Sequence, residues 1–219
     1  MYLRRQAGLS LIEVLVTLVI LMIGLLGLAG IIVRSNQAEM ESYQRVQALQ
    51  ILQDISERMS ANRAVADCYS NGATGLTLGI NSAPPPVCAD ANATAHQKKI
   101  ANSDLTELDN LIKGSSTKIG TNKVGAMIGA VACIKKETTA AAAPAADPAA
   151  EPATESGTES GAAAVNPKDT YLIAVSWQGL ASTSAPKLAN GEAFPCGNGL
   201  YGDETLHRVI TTKIRLGDF

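Results

Sequence analysis

The chain opens with a short polar segment carrying Arg4 and Arg5 and then turns apolar: from Val14 to Val33 no side chain is charged, and Thr17 supplies the only hydroxyl. A run of about twenty such residues is long enough to cross a bilayer as a helix. Beyond Val33 the pattern becomes amphipathic without a proline or turn signal, with Ala48, Ile51, Leu52, Ile55 and Met59 at helical spacing. One continuous helix over residues 9–62 is predicted, about 75 Å long at 1.5 Å per residue. Residues 9–33 are its transmembrane part, and its outer half is expected to pack on a soluble domain. Gly24, Gly27 and Gly30 recur on one broad face, where helix backbones can approach closely, or are simply tolerated in a lipid-facing helix. Glu41 with Arg45, and Asp54 with Arg58, read as surface ion pairs one helical turn apart.

After the long helix, which is expected to end around Ser60 to Arg63, the pattern breaks up. Residues 68–101 read as a loop, with Asn71-Gly72, Gly79 and the triplet Pro84-Pro85-Pro86 as turn signals. A short helix over 103–113 is predicted, capped by Ser103, with Asp104 and Glu107 near its positive end. Leu105, Leu108, Leu111 and Ile112 form its buried side, and Gly114 stops it. Strands are predicted at 124–134, 170–177 and 207–216, the last two alternating in period two. An antiparallel sheet lying on the helix buries one face of each, so the class is α+β. Residues 137–168 are nearly all Ala, Pro, Thr, Glu, Ser and Gly, with no aromatic, and are predicted to be a disordered insertion between two strands. Phe194 to Gly202 reads as a turn-rich loop feeding the last strand.

Charge and cysteine usage narrow the setting. The formal charge of −2 leaves no basic surface suggesting nucleic acid as a partner. Arg4 and Arg5 place the leader in the cytoplasm and everything beyond Val33 on the other side. There Cys68, Cys88, Cys133 and Cys196 can form disulfides. Four cysteines permit three pairings, of which Cys68–Cys88 and Cys133–Cys196 are preferred here. Zinc is disfavoured, because no Cys-x-x-Cys spacing occurs and neither His96 nor His207 lies near a cysteine pair. His96 in an Ala- and Asn-rich loop and His207 at a strand start read as solvated histidines. Asp90, Asp203 and Asp218 are too irregularly spaced for a calcium loop. No nucleophile, phosphate or metalloprotease motif occurs, so neither enzyme activity nor a cofactor is expected.

One carboxylate, Glu13, sits near the start of the apolar run, where an ionised group costs roughly 2.5–3.5 kcal/mol and marks a function. A plain membrane anchor does not explain it. Nor does a signal peptide cleaved near Gly27-Leu28-Ala29, whose apolar region would then contain an acid. Cleavage after Gly8 would place a new amino group on Leu9, one helical turn from Glu13 and on the same face. That amine can neutralise Glu13 in its own helix, or meet the Glu13 of a staggered neighbour and set their register.

Gly8-Leu9-Ser10-Leu11-Ile12-Glu13-Val14 resembles the signal of type IV prepilins and pseudopilins, whose usual form is Gly-Phe-Thr-Leu-Ile-Glu; Leu9 and Ser10 are this chain's departures. The resemblance implies cleavage between Gly8 and Leu9 by prepilin peptidase, N-methylation of Leu9, and Glu13 as the assembly carboxylate. Within that superfamily, Ile23 to Gly30 and then Glu57-Arg58-Met59-Ser60-Ala61-Asn62-Arg63 resemble minor pilins of the PilV type. In those proteins the first helix closes with acidic-Arg-Met-x-Ala-Asn-Arg. Major pilins often carry a kinking proline where this chain has Gly30. The implied architecture is a leader at 1–8, a helix at 9–62 and a periplasmic pilin domain at 63–219 that contains the insertion.

The implied function is that of a minor pilin in a tip complex that primes pilus assembly. Through the complex it would affect twitching motility, adhesion and DNA uptake. Its implied partners are other minor pilins and the major pilin through the helix, a tip adhesin, prepilin peptidase and the inner-membrane assembly platform. The alternatives are a minor pseudopilin of type II secretion, an anchored binding module that uses its disulfide loops, and an anchored periplasmic enzyme.

Overall fold

The structure, a computed structural model, describes residues 10–72, 74–114, 118–119, 122–123, 127–137 and 170–216. The leader, Gly8, Leu9, residues 138–168 of the expected insertion, and Asp218 lie outside them. The chain divides into two units, residues 1–43 and 44–219.

Helix α1, Leu11–Ala61, runs through both. In the first unit its large apolar side chains are all exposed, from 46 % at Val14 to 82 % at Leu11. Among the described residues α1 is the one helix long and apolar enough to cross a membrane. In the second unit the same helix turns amphipathic, burying Gln44, Ala48, Ile51, Ile55 and Met59, with Leu52 partly buried beside them.

A 3₁₀ turn, Arg63–Val65, leads from α1 into the short helix α2, Ala66–Ser70. The left-handed Asn71 stops α2. The segment read as a loop then forms β1, Leu76–Gly79, and the start of α3, Ala95–Ile112. The predicted helix thus begins eight residues earlier than expected and is not capped by Ser103. Thr94 caps it instead: its hydroxyl accepts from the Gln97 amide at 3.3 Å, while Gln97 accepts from the Thr94 amide at 2.9 Å. Leu105, Leu108 and Ile112 are buried as read, but Leu111 is exposed, lying off the stripe they make. Asp104 and Glu107 fall mid-helix rather than near its positive end.

A short hairpin of two-residue strands, β2 Lys118–Ile119 with β3 Asn122–Lys123, stands apart from the main sheet. That sheet is antiparallel, in the order β1-β4-β5-β6, with β4 at Val131–Lys136, β5 at Thr170–Gln178 and β6 at His207–Arg215. Of the strand expected over 124–134, residues 124–126 lie outside the described residues, 127–129 form a bend and turn, and β4 begins at Val131. The central strand β5 is covered on both sides, which the one-faced expectation did not foresee. On one face Ile134, Tyr171, Ile173 and Val175 join α1 and α3 in the main core, with the fully buried Tyr69 among them. On the other, Val131 and Ala174 meet Phe194 and Cys196 of the loop before β6. At Gly79 an added Cβ would strike the Ala130 carbonyl and the Ile112 side chain, and the residue has φ +113°, so only glycine lets β1 close against β4 and α3.

Candidate functional site

The residues singled out in the sequence fall into two places. At the start of α1 the Ser10 carbonyl accepts from the amides of Glu13 and Val14, at 3.0 and 3.3 Å. Glu13 therefore stands in the first helical turn, where unpaired amides favour a negative charge. Its carboxylate has no partner among the described residues, and exposed Leu11, Ile12 and Val14 surround it in sequence. At Gly24, Gly27 and Gly30 an added Cβ would meet nothing within 4 Å, so that face is vacant in the single chain. Among the described residues nothing covers this surface, an exposed apolar run with one acid at its head.

The segment Glu57 to Arg63 has a different role. Arg58 bridges three carboxylates, its Nε 2.8 Å from Asp54 and its Nη1 2.9 Å from Asp104 and 3.0 Å from Glu107. The hydrogen bond to Asp54, with burial opposing and Glu107 and Asp104 assisting, holds this guanidinium even more firmly protonated than usual. Met59 is fully buried. Asn62 donates to the Gln97 carbonyl at 3.1 Å and to the Tyr69 hydroxyl at 3.4 Å, and Tyr69 donates to Asp104 at 2.5 Å. Burial and then Asp104 raise the Tyr69 phenol well above its ordinary value. The motif is thus a polar clamp tying α1, α2 and α3 together. Inspection of the sequence missed Tyr69, just past the motif, and Gln97, Asp104 and Glu107, which lie 35, 46 and 49 residues from the motif residues they meet.

Covalent ties complete the domain. Cys68 of α2 is bonded to Cys88, and Cys133 of β4 to Cys196 in the loop before β6. Near the first, Asp67 receives Lys136 at 2.6 Å and the Tyr171 hydroxyl at 2.6 Å. Burial opposes its charge, yet Lys136 and Tyr171 together hold the carboxyl below its usual range. Near the second, His207 is buried rather than solvated, because it lies under the Cys196 loop. Its Nδ1 is 2.9 Å from Glu204 and its Nε2 2.9 Å from the Cys196 carbonyl. Tyr201, tilted against that imidazole, has its phenol pushed up to about 12 by burial. His96 is exposed in the first turn of α3, not in a loop.

A cleft of about 270 Å³ opens over the outer face of β1, β4 and β5, floored by Thr77, Cys133 and Leu172 and walled by Phe194. Asp90 and Asp203 accept from backbone amides two residues on, and among the described residues no group of three His, Cys, Asp or Glu side chains is placed to hold a metal ion.

Residues 3–29 match a family model described as the prokaryotic N-terminal methylation motif, and residues 30–106 match one described as type IV pilin Tt1218. No curated protein and no solved structure matches the chain. The two matched segments adjoin, and together they span α1, α2, β1 and most of α3.

Proposed function

We propose that the chain, whose residues 3–29 match the N-terminal methylation motif and whose residues 30–106 match a type IV pilin model, is a minor pilin of the PilV type. In this account prepilin peptidase cuts between Gly8 and Leu9 and the new amino terminus is methylated. Residues 9–33 hold the subunit in the inner membrane with its domain periplasmic until it is drawn into a pilus. It joins other minor pilins at or near the tip, primes assembly of the major pilin and supports an adhesin. Twitching motility, adhesion and DNA uptake follow from that position.

The observation that carries this account is Glu13, a lone acid with no partner among the described residues, at the head of an otherwise uncharged exposed run. In a staggered bundle the amino terminus of one subunit supplies the cation that its neighbour's Glu13 requires. Contact at close range in low dielectric makes that pair strongly dependent on register. The vacant face at Gly24, Gly27 and Gly30 lets the same neighbours approach backbone to backbone. The Arg58 clamp and the two disulfides keep the domain closed under the load of a fibre.

Glu13→Ala is expected to leave membrane insertion intact and to abolish co-purification with partner pilins from cell membranes. Unchanged co-purification overturns the docking mechanism. Mass spectrometry of the mature chain is expected to report an N-methylated Leu9 start, and recovery of a chain still bearing Met1 overturns the processing step.

A further inference from the structure

The two edges of the main sheet are finished differently. Strand β1 is only four residues long, and the outward amide of Gly79 is taken by Asp109 at 2.9 Å. Strand β6 is nine residues long and pairs along its whole length with β5. Just before it the Gly179 amide donates to the Leu206 carbonyl at 2.7 Å, which fixes the phase of the ladder. In an antiparallel pair the bonded positions alternate, so Arg208, Ile210, Thr212 and Ile214 face β5. The amides and carbonyls of Val209, Thr211 and Lys213 therefore point away from the sheet, and among the described residues no backbone group meets them.

A long unpaired edge is a template for another strand. Its surroundings select the kind. On the face away from α1, Lys135, Leu172 and Lys213 lie in one row across three strands, and Arg215 follows at the end of β6. Lys135, Lys213 and Arg215 are exposed, against one carboxylate among the described residues, Glu137, bonded to Lys213 at 2.5 Å. The edge thus carries surplus positive charge beside the apolar cleft floored by Leu172.

We propose that the outer edge of β6 is a docking site for an extended acidic segment of a partner protein, which adds to the sheet as a fifth strand. Its backbone pairs with Val209, Thr211 and Lys213, and its carboxylates meet Lys213 and Arg215. This interaction is separate from the helix-mediated assembly described above, and it stands whether or not the chain enters a fibre.

The test uses the full processed chain in detergent micelles and two synthetic probes, a peptide alternating Glu and Val and a control alternating Lys and Val. Amide exchange at Val209, Thr211 and Lys213 is expected to slow about tenfold or more with the acidic peptide and to stay unchanged with the basic one. Thr211→Pro is expected to abolish the protection, since its amide is not used in the ladder with β5. Arg215→Glu, which leaves the edge backbone intact, is expected to weaken binding about tenfold by charge reversal, and it decides the matter if the proline variant fails to fold. The proposal is overturned by amides already protected without peptide, by protection that grows with protein concentration alone, or by equal binding of both peptides. Absence of binding, or unchanged binding by Arg215→Glu, overturns it as well.

Discussion

Leu21 and Ile55 belong to one helix, yet Leu21 is 61 % exposed and Ile55 is fully buried. The difference marks two ways of stabilising the same element. Around Ile55, helical periodicity is answered by the chain's own α3 and sheet, so this stretch of helix is fixed by tertiary packing. Around Leu21 nothing among the described residues answers, and the residues are apolar on every side. Such a helix is satisfied only by lipid or by other helices. One end of α1 is held by the domain's own packing and the other is exposed and apolar on every side, and the polarity of the sequence changes between them.

The comparison is broken most forcefully by removing what holds the second region closed. Replacing Cys133 and Cys196 together by Ser opens a loop of 63 residues and is expected to lower domain stability by roughly 4 kcal/mol under a loop-entropy account. Denaturant titration of the chain in micelles measures this, and membrane partitioning is expected not to change. Ile55→Ala is expected to cost about 3 kcal/mol, from lost burial and the cavity left behind. Leu21→Ala, on the same helix, is expected to stay within about 0.5 kcal/mol in the same titration. Equal losses at Leu21 and Ile55 would show that the two regions unfold as one.

How far each region could be read from the sequence follows the same division. The amino-terminal helix was legible because its signals are local: an uncharged run, one acid, a motif of adjacent residues and no proline. Strands β5 and β6 were legible through alternation, to within one residue at each end. The Arg58 clamp was not, since Asp104 and Glu107 lie 46 and 49 residues away from the arginine they hold. Nor was burial of His207, which depends on the Cys133–Cys196 bond bringing a loop over the sheet. The start of α3 was missed although Thr94-Ala95-His96-Gln97 carries the capping-box spacing in plain sequence. Alanines and asparagines around it read as a loop, and the polar first turn hid the helical period. Thr94→Ala is accordingly expected to cost about 1 kcal/mol. Exchange of the α3 first-turn amides is expected to accelerate, while that of α1 stays unchanged.

The smallest expected effect separates the two regions by their acids. Glu13 has no partner among the described residues, whereas Asp67 is held by Lys136 and Tyr171. Burial works against the charge of Asp67, but those two donors outweigh it and keep its folded pKa below the usual 3.8. The folded state therefore binds fewer protons than the unfolded state near that pH. The stabilisation is complete above the unfolded value and drains away as pH falls through the lower, folded one. Because the Asp67 side chain is 50 % exposed, solvent screens the pair and the contribution is about 0.2–1 kcal/mol. Asp67→Asn removes the charge but still offers an acceptor to the Tyr171 hydroxyl. The variant is expected to be less stable than the parent at pH 6, with the gap closing as the pH falls below 4. A gap that persists unchanged to pH 2 would mean that Asp67 contributes through packing rather than through its charge.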